Sequence, residues 1–193
     1  MIDVIHGAYK SPYDGAYQCL RDYQVNRLPV DLLKITRSAG IKVIKNSDTH
    51  VLNAGKEHGA SFFIGGNWYL VYDDTQLRSM RRESVAHELG HIFLGHEIRG
   101  EGYIVRQQRD EEAADVFAVD LLAPEFVLWT LGIRDSLNIS GVCDINIPFA
   151  NIRAAQLAER YAARNYSESP IEKKIHILFF DYIEKSLAER EGY

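Results

Sequence analysis

The segment from residue 84 to residue 96 constrains the fold and chemistry of this chain most, because a metal-binding motif lies within a residue pattern that is typical of a helix. Its sequence is Ser-Val-Ala-His-Glu-Leu-Gly-His-Ile-Phe-Leu-Gly-His, with apolar residues at the spacing of an amphipathic helix. On a helix, His87 and His91 are four residues apart, so both imidazoles project from one face and can bind one metal ion. Gly90 costs a helix about 1 kcal/mol relative to Ala, so we expect a packing reason for it, such as a neighbouring strand or a substrate that comes close.

The residue types of this helix also indicate a chemistry. Neutral imidazole suits zinc, and a catalytic zinc site keeps one coordination position for water. Zinc lowers the pKa of its bound water toward about 7, and a carboxylate at Glu88 can take the proton as the water attacks a peptide carbonyl. The alternative is a core helix with two hydrogen-bonded histidines and an exposed Glu88. We expect a peptidase of the H-E-x-x-H type with one zinc ion per chain.

A catalytic zinc site needs a third protein ligand, and two kinds of candidate follow the motif. His96 comes five residues after His91, which turns it away from the metal-binding face if the helix continues, so we expect it to cap the helix C-terminus. The apolar spacing of residues 109–124 predicts another helix. On it, Glu111 and Asp115 are one turn apart, so Glu111 can reach the metal while Asp115 holds a zinc-bound histidine through its second nitrogen.

Together the two helices resemble the ImmA/IrrE family of zinc metallopeptidases. Three stretches carry the resemblance and match in order and spacing: His-Glu-Leu-Gly-His at 87–91, Glu-x-x-Ala-Asp-x-Phe-Ala at 111–118 and Leu-Leu-Ala-Pro at 121–124. The resemblance covers residues 28 to 128. It implies a zincin-like fold and a gluzincin-like site, in which two histidines and a later Glu bind the metal.

In that family the Glu that follows the first histidine is the catalytic base, which implies this role for Glu88. The implied metal ligands are His87, His91 and Glu111. Ala113 stands where many relatives have Glu, so a register in which Glu112 is the third ligand stays open.

The resemblance also implies a zinc-dependent endopeptidase of narrow specificity. Similar proteins cleave a helix-turn-helix repressor of phage, mobile-element or stress-response genes, so we expect such a repressor as the protein substrate. Two alternatives stay open: a zinc-stabilised regulatory protein that binds a repressor without cleaving it, and a metal-free α/β domain with the motif by coincidence. No motif marks the side chain that stabilises the oxyanion, for which the candidates are Tyr69, Tyr72, Tyr103, Tyr161 and His96.

Composition restricts the partners and the location. The formal net charge of -5 and the pI near 5.8 oppose a nucleic-acid-binding surface. The first ten residues lack the basic start and apolar run of a signal sequence, and no run of about 20 apolar residues is present to span a membrane. Cys19 and Cys143 have no metal-motif spacing. We therefore expect a cytoplasmic protein with reduced, packed cysteines and no direct nucleic-acid or membrane partner.

The periodicity of the chain predicts an α+β fold. Runs rich in β-branched and aromatic residues predict a small, mainly antiparallel sheet packed on the H-E-x-x-H helix, with strands at 41–45, 60–64 and 68–72. One of these strands can hold an extended peptide substrate by backbone hydrogen bonds, or the strands form only a core hairpin.

Further helices are predicted on both sides of this central region. The first two span 13–23 and 28–40, the second with Pro29 in its first turn, and the last two span 151–164 and 171–189. An irregular stretch is expected between residues 131 and 150. We expect a zincin-like metallopeptidase domain at 1–130 and a helical C-terminal region at 131–193, which either recognises substrate or braces the metal helices.

Overall fold

A computed structural model describes residues 5–53, 57–98, 106–162 and 169–191 of the chain, without the side chains of residues 161 and 191. Helices predominate in these residues, and a short sheet lies in the first half. In chain order the elements are α1 (Pro12–Asp22), α2 (Leu32–Ser38), β1 (Ile41–Lys45), α3 (Asn46–Thr49), β2 (Gly59–Ile64), β3 (Asn67–Tyr72), α4 (Arg78–Leu94), α5 (Gln108–Leu122), α6 (Glu125–Thr130), α7 (Ser136–Cys143), α8 (Ile147–Ala162) and α9 (Pro170–Glu191).

The chain divides into two compact units. Unit 1 contains residues 1–16 and 32–118, and unit 2 contains residues 17–31 and 119–193. Unit 1 holds the sheet and both motifs of the sequence, whereas unit 2 is helical. The functional division between residues 1–130 and 131–193 stays a prediction.

The three strands of unit 1 form one sheet in the order β1-β3-β2. A two-residue turn joins β2 to β3, and both of its residues, Gly65 (φ 56°) and Gly66 (φ 74°), have the positive φ of a type I′ hairpin turn. β2 and β3 are antiparallel, as predicted, while β1 is parallel to β3. The predicted α+β class is confirmed, and the sheet is mixed because β1 reaches β3 by a crossover instead of a hairpin.

Helix α4 packs against β2 and β3 through its apolar face. The buried apolar side chains of this face are Val85, Ala86, Leu89, Ile92 and Phe93. The helix begins six residues before the predicted Ser84, and it ends at Leu94, so His96 lies outside it. The sheet therefore supports the helix that carries the metal-binding motif.

The predicted start of the second helix is wrong. The Leu28-Pro29 peptide bond is cis, and neither residue is helical. α2 begins only at Leu32, directly after Asp31, a residue type that is preferred at the position before the first helical residue. Its buried residues, Leu32, Ile35 and Thr36, repeat at the spacing of one helix face.

The last four helices lie in unit 2, where α6 packs against α9 and α7 packs against α8. The stretch expected to be irregular contains α7, whose first turn is capped by Asp135 accepting from the amide of Asn138. α8 begins four residues before the predicted Asn151, because Asn146 caps it by accepting from the amide of Phe149 at 2.8 Å. Side-chain caps thus mark where α7 and α8 begin.

Buried charges and cysteines occupy the interior of unit 2. Arg153 pairs with Asp120 and, at 3.4 Å, with Glu125, and it is only 1% exposed. Cys19 and Cys143 are both buried, and neither forms a disulfide bond within the described residues. Among the described helices, none combines the length and the apolar character needed to cross a membrane.

Candidate metal centre

A close approach of two helix backbones brings the two sequence motifs together. A Cβ atom built on Gly90 of α4 would lie 3.1 Å from Cα and 3.2 Å from the carbonyl oxygen of Ala114 in α5. A packing reason was expected for Gly90, and the structure supplies one: the close partner is a helix, not a strand. Ala114 follows Glu111 by three residues, so this contact places the first turn of α5 beside the histidines of α4.

Three side-chain donors meet at this crossing. Nε2 of His87 lies 2.9 Å from Nε2 of His91 and 3.1 Å from Oε2 of Glu111, and Nε2 of His91 lies 3.6 Å from Oε1 of Glu111. A tetrahedral zinc ion with bonds of about 2.0–2.1 Å holds neighbouring donors about 3.3–3.4 Å apart. The spacing and the chemical types of these three donors therefore fit zinc.

Glu112, the residue after Glu111, lies on the helix surface. Glu112 is exposed, and its Oε1 accepts a hydrogen bond from Gln108 at 2.9 Å. Of the two registers left open by the sequence, the structure brings Glu111 to the histidines and leaves Glu112 on the helix surface.

Asp115 orients His87 from the side opposite the donor cluster. Nδ1 of His87 donates to Oδ1 of Asp115 at 2.8 Å, which leaves Nε2 directed at the other donors. Burial alone would lower the pKa of His87, but the hydrogen bonds to Asp115 and Glu111 outweigh it and raise the pKa to about 9. The hydrogen bond to His87 in turn lowers the pKa of Glu111, so this carboxylate stays ionised.

His96 contacts the other histidine, although its spacing suggested that it would point away. Gly95 adopts a left-handed conformation (φ 77°), its amide donates to the carbonyl of Ile92 at 3.3 Å, and the amide of His96 donates to the carbonyl of His91 at 3.0 Å. These two bonds form a Schellman motif, which reverses the chain at the helix end. As a result, Nδ1 of His96 lies 2.9 Å from Nδ1 of His91.

His91 is fully buried, and burial strongly lowers its pKa, so this imidazole is neutral. A neutral imidazole can present Nε2 to a metal while Nδ1 shares a hydrogen bond with a neighbour. His96 therefore supports His91 as Asp115 supports His87. The argument that His96 is turned away from the metal-binding face applied only to a helix that continues past Leu94. Because α4 ends there, the expectation that His96 only caps the helix is incomplete.

Glu88 is buried and only 3% exposed. The alternative of a core helix with two hydrogen-bonded histidines had instead placed Glu88 on the surface. Its carboxylate is close enough to the histidine nitrogens that one donor atom from each of His87, Glu88 and His91 falls within 4.8 Å of the others. Oε2 of Glu88 accepts from Oγ of Ser61 at 2.8 Å and from Nη2 of Arg106 at 3.1 Å. The candidate base is thus buried, hydrogen-bonded and adjacent to the donor cluster.

Two of these neighbours, Ser61 and Arg106, were missed by the sequence analysis. Ser61 does carry a weak signal, because a small polar residue in an apolar strand needs a buried partner. Arg106 carries none, since an arginine shortly before a helix is usual on a protein surface. Only the folded chain brings them to Glu88.

Two of the tyrosines considered as stabilisers of the oxyanion, Tyr69 and Tyr72, lie on opposite faces of the sheet. Side chains alternate along a strand, and Ser61 faces α4, so Phe62 and its cross-strand partner Tyr69 face away from the helix. Tyr72 is paired with Gly59 and lies on the α4 face. Tyr103 and the side chain of Tyr161 lie outside the described residues.

Comparison with known protein families identifies one match. The sequence model of the family Peptidase_M78, described as the IrrE N-terminal-like domain, matches residues 36–136. This range contains the sheet and the helices α4 and α5, with every residue of the donor cluster. No curated protein and no solved structure matches the chain significantly.

Proposed function

Because the chain belongs to the Peptidase_M78 family, the IrrE N-terminal-like domain, we propose that it is a zinc-dependent endopeptidase of narrow specificity. Family membership supports a metallopeptidase that acts on a protein substrate. The observation that carries the finer proposal is the meeting of His87, His91 and Glu111 beside a buried Glu88. With a zinc ion bound, two histidines and a glutamate around it would make the site we propose, of the gluzincin type.

The side chains have separate roles in this proposal. His87, His91 and Glu111 would hold the zinc, which supplies charge stabilisation and a water of lowered pKa when bound. Glu88 takes the proton of the attacking water on one carboxylate oxygen and delivers it to the leaving amine as the peptide bond breaks. Asp115 and His96 hold the two imidazoles in the tautomers that direct Nε2 inward.

The substrate would lie along β2. In the described part of the chain, β2 pairs with β3 on one side and with no strand on the other. Its residues Gly59 and Ser61 lie beside Glu88, since a Cβ on Gly59 would be 3.1 Å from Cγ of Glu88. An extended peptide can pair with such an edge through backbone hydrogen bonds, and its scissile bond would then lie close to the base.

The proposed substrate is a helix-turn-helix repressor, cleaved in the cytoplasm to derepress phage, mobile-element or stress genes. The resemblance of the two motifs to the ImmA/IrrE family supports this choice. The helical region at 131–193 is proposed to recognise the repressor. A narrow specificity is expected because an unrestrained cytoplasmic endopeptidase would degrade its neighbours.

A direct test is incubation of the protein with the repressor encoded beside its gene, followed by intact-mass measurement. We expect two fragments whose masses add to the repressor plus one water, and none in the presence of a chelator. Glu88→Gln should keep the zinc but form no fragments. Cleavage by Glu88→Gln would contradict the role of Glu88 as the base, whereas an intact repressor in a stable complex with the wild-type protein would favour a zinc-stabilised binding protein.

A further inference from the structure

We infer that Arg106 is a positioning residue for the base Glu88: with Ser61 it anchors one carboxylate oxygen, Oε2, so that the other oxygen is oriented for proton transfer. The role as a base rests on the proposed function, whereas the anchoring rests on the contacts alone.

The two carboxylate oxygens of Glu88 are held unequally. Oε2 accepts from Ser61 at 2.8 Å and from Nη2 of Arg106 at 3.1 Å. Among the described residues, Oε1 has only Nη1 of Arg106 at 3.4 Å, the limit of a hydrogen bond. A general base needs one oxygen with a lone pair available and a fixed direction. The geometry therefore leaves Oε1 as the oxygen that can accept a proton.

The guanidinium is itself held in place. Nε of Arg106 donates to the backbone carbonyl of Glu97 at 3.2 Å, and Nη2 also donates to Oγ of Ser61 at 3.1 Å. The side chain of Arg106 is 11% exposed and that of Glu88 is 4% exposed, so solvent screens their pairing little. Two groups from separate parts of the chain thus fix the plane of the arginine, and the arginine fixes the carboxylate.

Burial explains why a cation is needed here. A carboxylate removed from water is stable only if it is paired and hydrogen-bonded. Arg106 also lies between two carboxylates, because its Nη1 is 3.9 Å from Oε1 of Glu111. Its charge therefore offsets the repulsion between Glu88 and Glu111 that would otherwise push the base away from the cluster. Lysine, with a single ammonium, cannot bind two oxygens in one plane.

The kinetic test compares Arg106→Gln and Arg106→Lys with a matched control, Arg109→Gln. Arg109 is three residues further along, and its side chain is 77% exposed. We expect Arg106→Gln to lower kcat for repressor cleavage about 100-fold with KM changed less than about threefold, Arg106→Lys to lie between, and the control to match wild type. In Arg106→Ala, added guanidinium at a low, non-denaturing concentration should restore part of kcat. An unchanged or raised kcat in Arg106→Gln would overturn the proposal.

A second measurement does not need activity or zinc. In zinc-free protein, Arg106→Gln leaves the Glu88 carboxylate buried and unpaired, and we expect the urea midpoint to fall by about 1 M. In a Glu88→Gln background the same substitution removes a charge that has no carboxylate to pair with, so the fall should be much smaller. Equal falls in both backgrounds would overturn the anchoring. A large difference together with a wild type that cleaves nothing would disprove the peptidase and leave the anchoring intact.

Discussion

Gly90 and Ala114 are the point at which α4 and α5 touch: a Cβ on Gly90 would lie 3.1 Å from Cα of Ala114. Because Glu111 is one turn before Ala114, the distance between the helices at this point sets the distance from Glu111 to His87 and His91. A glycine inside a helix is costly, and here it permits the close approach of α5 that brings Glu111 to the two histidines.

Gly90→Ala should therefore weaken both the fold and the metal site. The added methyl meets helix backbone, which cannot rotate away as a side chain can, so we expect a loss of about 1–3 kcal/mol in the free energy of unfolding and weaker zinc binding. Gly141→Ala is the control, since Gly141 is also helical and has no heavy atom of the described residues within 4 Å of its Cβ position. That substitution should be neutral or stabilise by up to about 1 kcal/mol. Equal effects of the two substitutions on zinc affinity would contradict the prediction.

Zinc binding should release a proton at neutral pH. The pKa of His87 is raised to about 9 in the zinc-free protein, so this imidazole is protonated at pH 7 and must lose its proton to bind zinc. The apparent affinity should rise up to about tenfold per pH unit between pH 6 and 8 and level off above about pH 9. Calorimetry in buffers of different ionisation enthalpy measures the proton number directly. A proton number near zero at pH 7 would contradict this assignment.

The raised pKa of His87 also affects the stability of the zinc-free protein. A raised pKa means that the folded state binds the proton more tightly than the unfolded state does, whose pKa is near 6.5. The stabilisation from His87 is therefore complete below pH 6.5 and is lost as the pH rises through about 9. Asp115→Asn removes the largest contribution that raises the pKa, so both the proton release at pH 7 and this pH-dependent stability should shrink.

His96→Phe should reduce zinc affinity about 10- to 100-fold. Phenylalanine keeps a ring of similar size but lacks the nitrogen that lies 2.9 Å from Nδ1 of His91, so the tautomer and the direction of His91 are no longer held. Competition with a chromophoric chelator measures the affinity, and circular dichroism shows whether the helices are intact. Wild-type affinity in an intact His96→Phe fold would show that the contact has no part in metal binding.

Arg153→Met should destabilise unit 2 by about 3–5 kcal/mol. Arg153 is 1% exposed, and its loss leaves the buried carboxylate of Asp120 without its cation, while Glu125 keeps Arg160 at 2.8 Å. Lys185→Met is the control, because Lys185 pairs with Glu189 at the surface, is 79% exposed, and should change stability by less than about 0.5 kcal/mol. Chemical denaturation of the two variants compares the losses, and a difference below about 1 kcal/mol would contradict the prediction.

The local parts of the site were predictable from the sequence. His87 and His91, and likewise Glu111 and Asp115, are four residues apart in regular helical patterns, and a helix puts such pairs on one face whatever surrounds it. The three strands and the glycine turn between two of them follow equally from local patterns. These features depend on residues that are near one another in the chain.

What the tertiary structure alone decided is which distant groups meet. The left-handed Gly95 ends α4 and returns His96 to His91, a reversal that helical spacing could not show. Ser61 and Arg106, 45 residues apart, reach the same oxygen of Glu88 only because β2 packs against α4 and the segment just before α5 lies beside Glu88. The spacing of His87 and His91 is a property of a single helix turn, but the approach of Glu111 and the environment of Glu88 depend on non-local packing that no sequence period encodes.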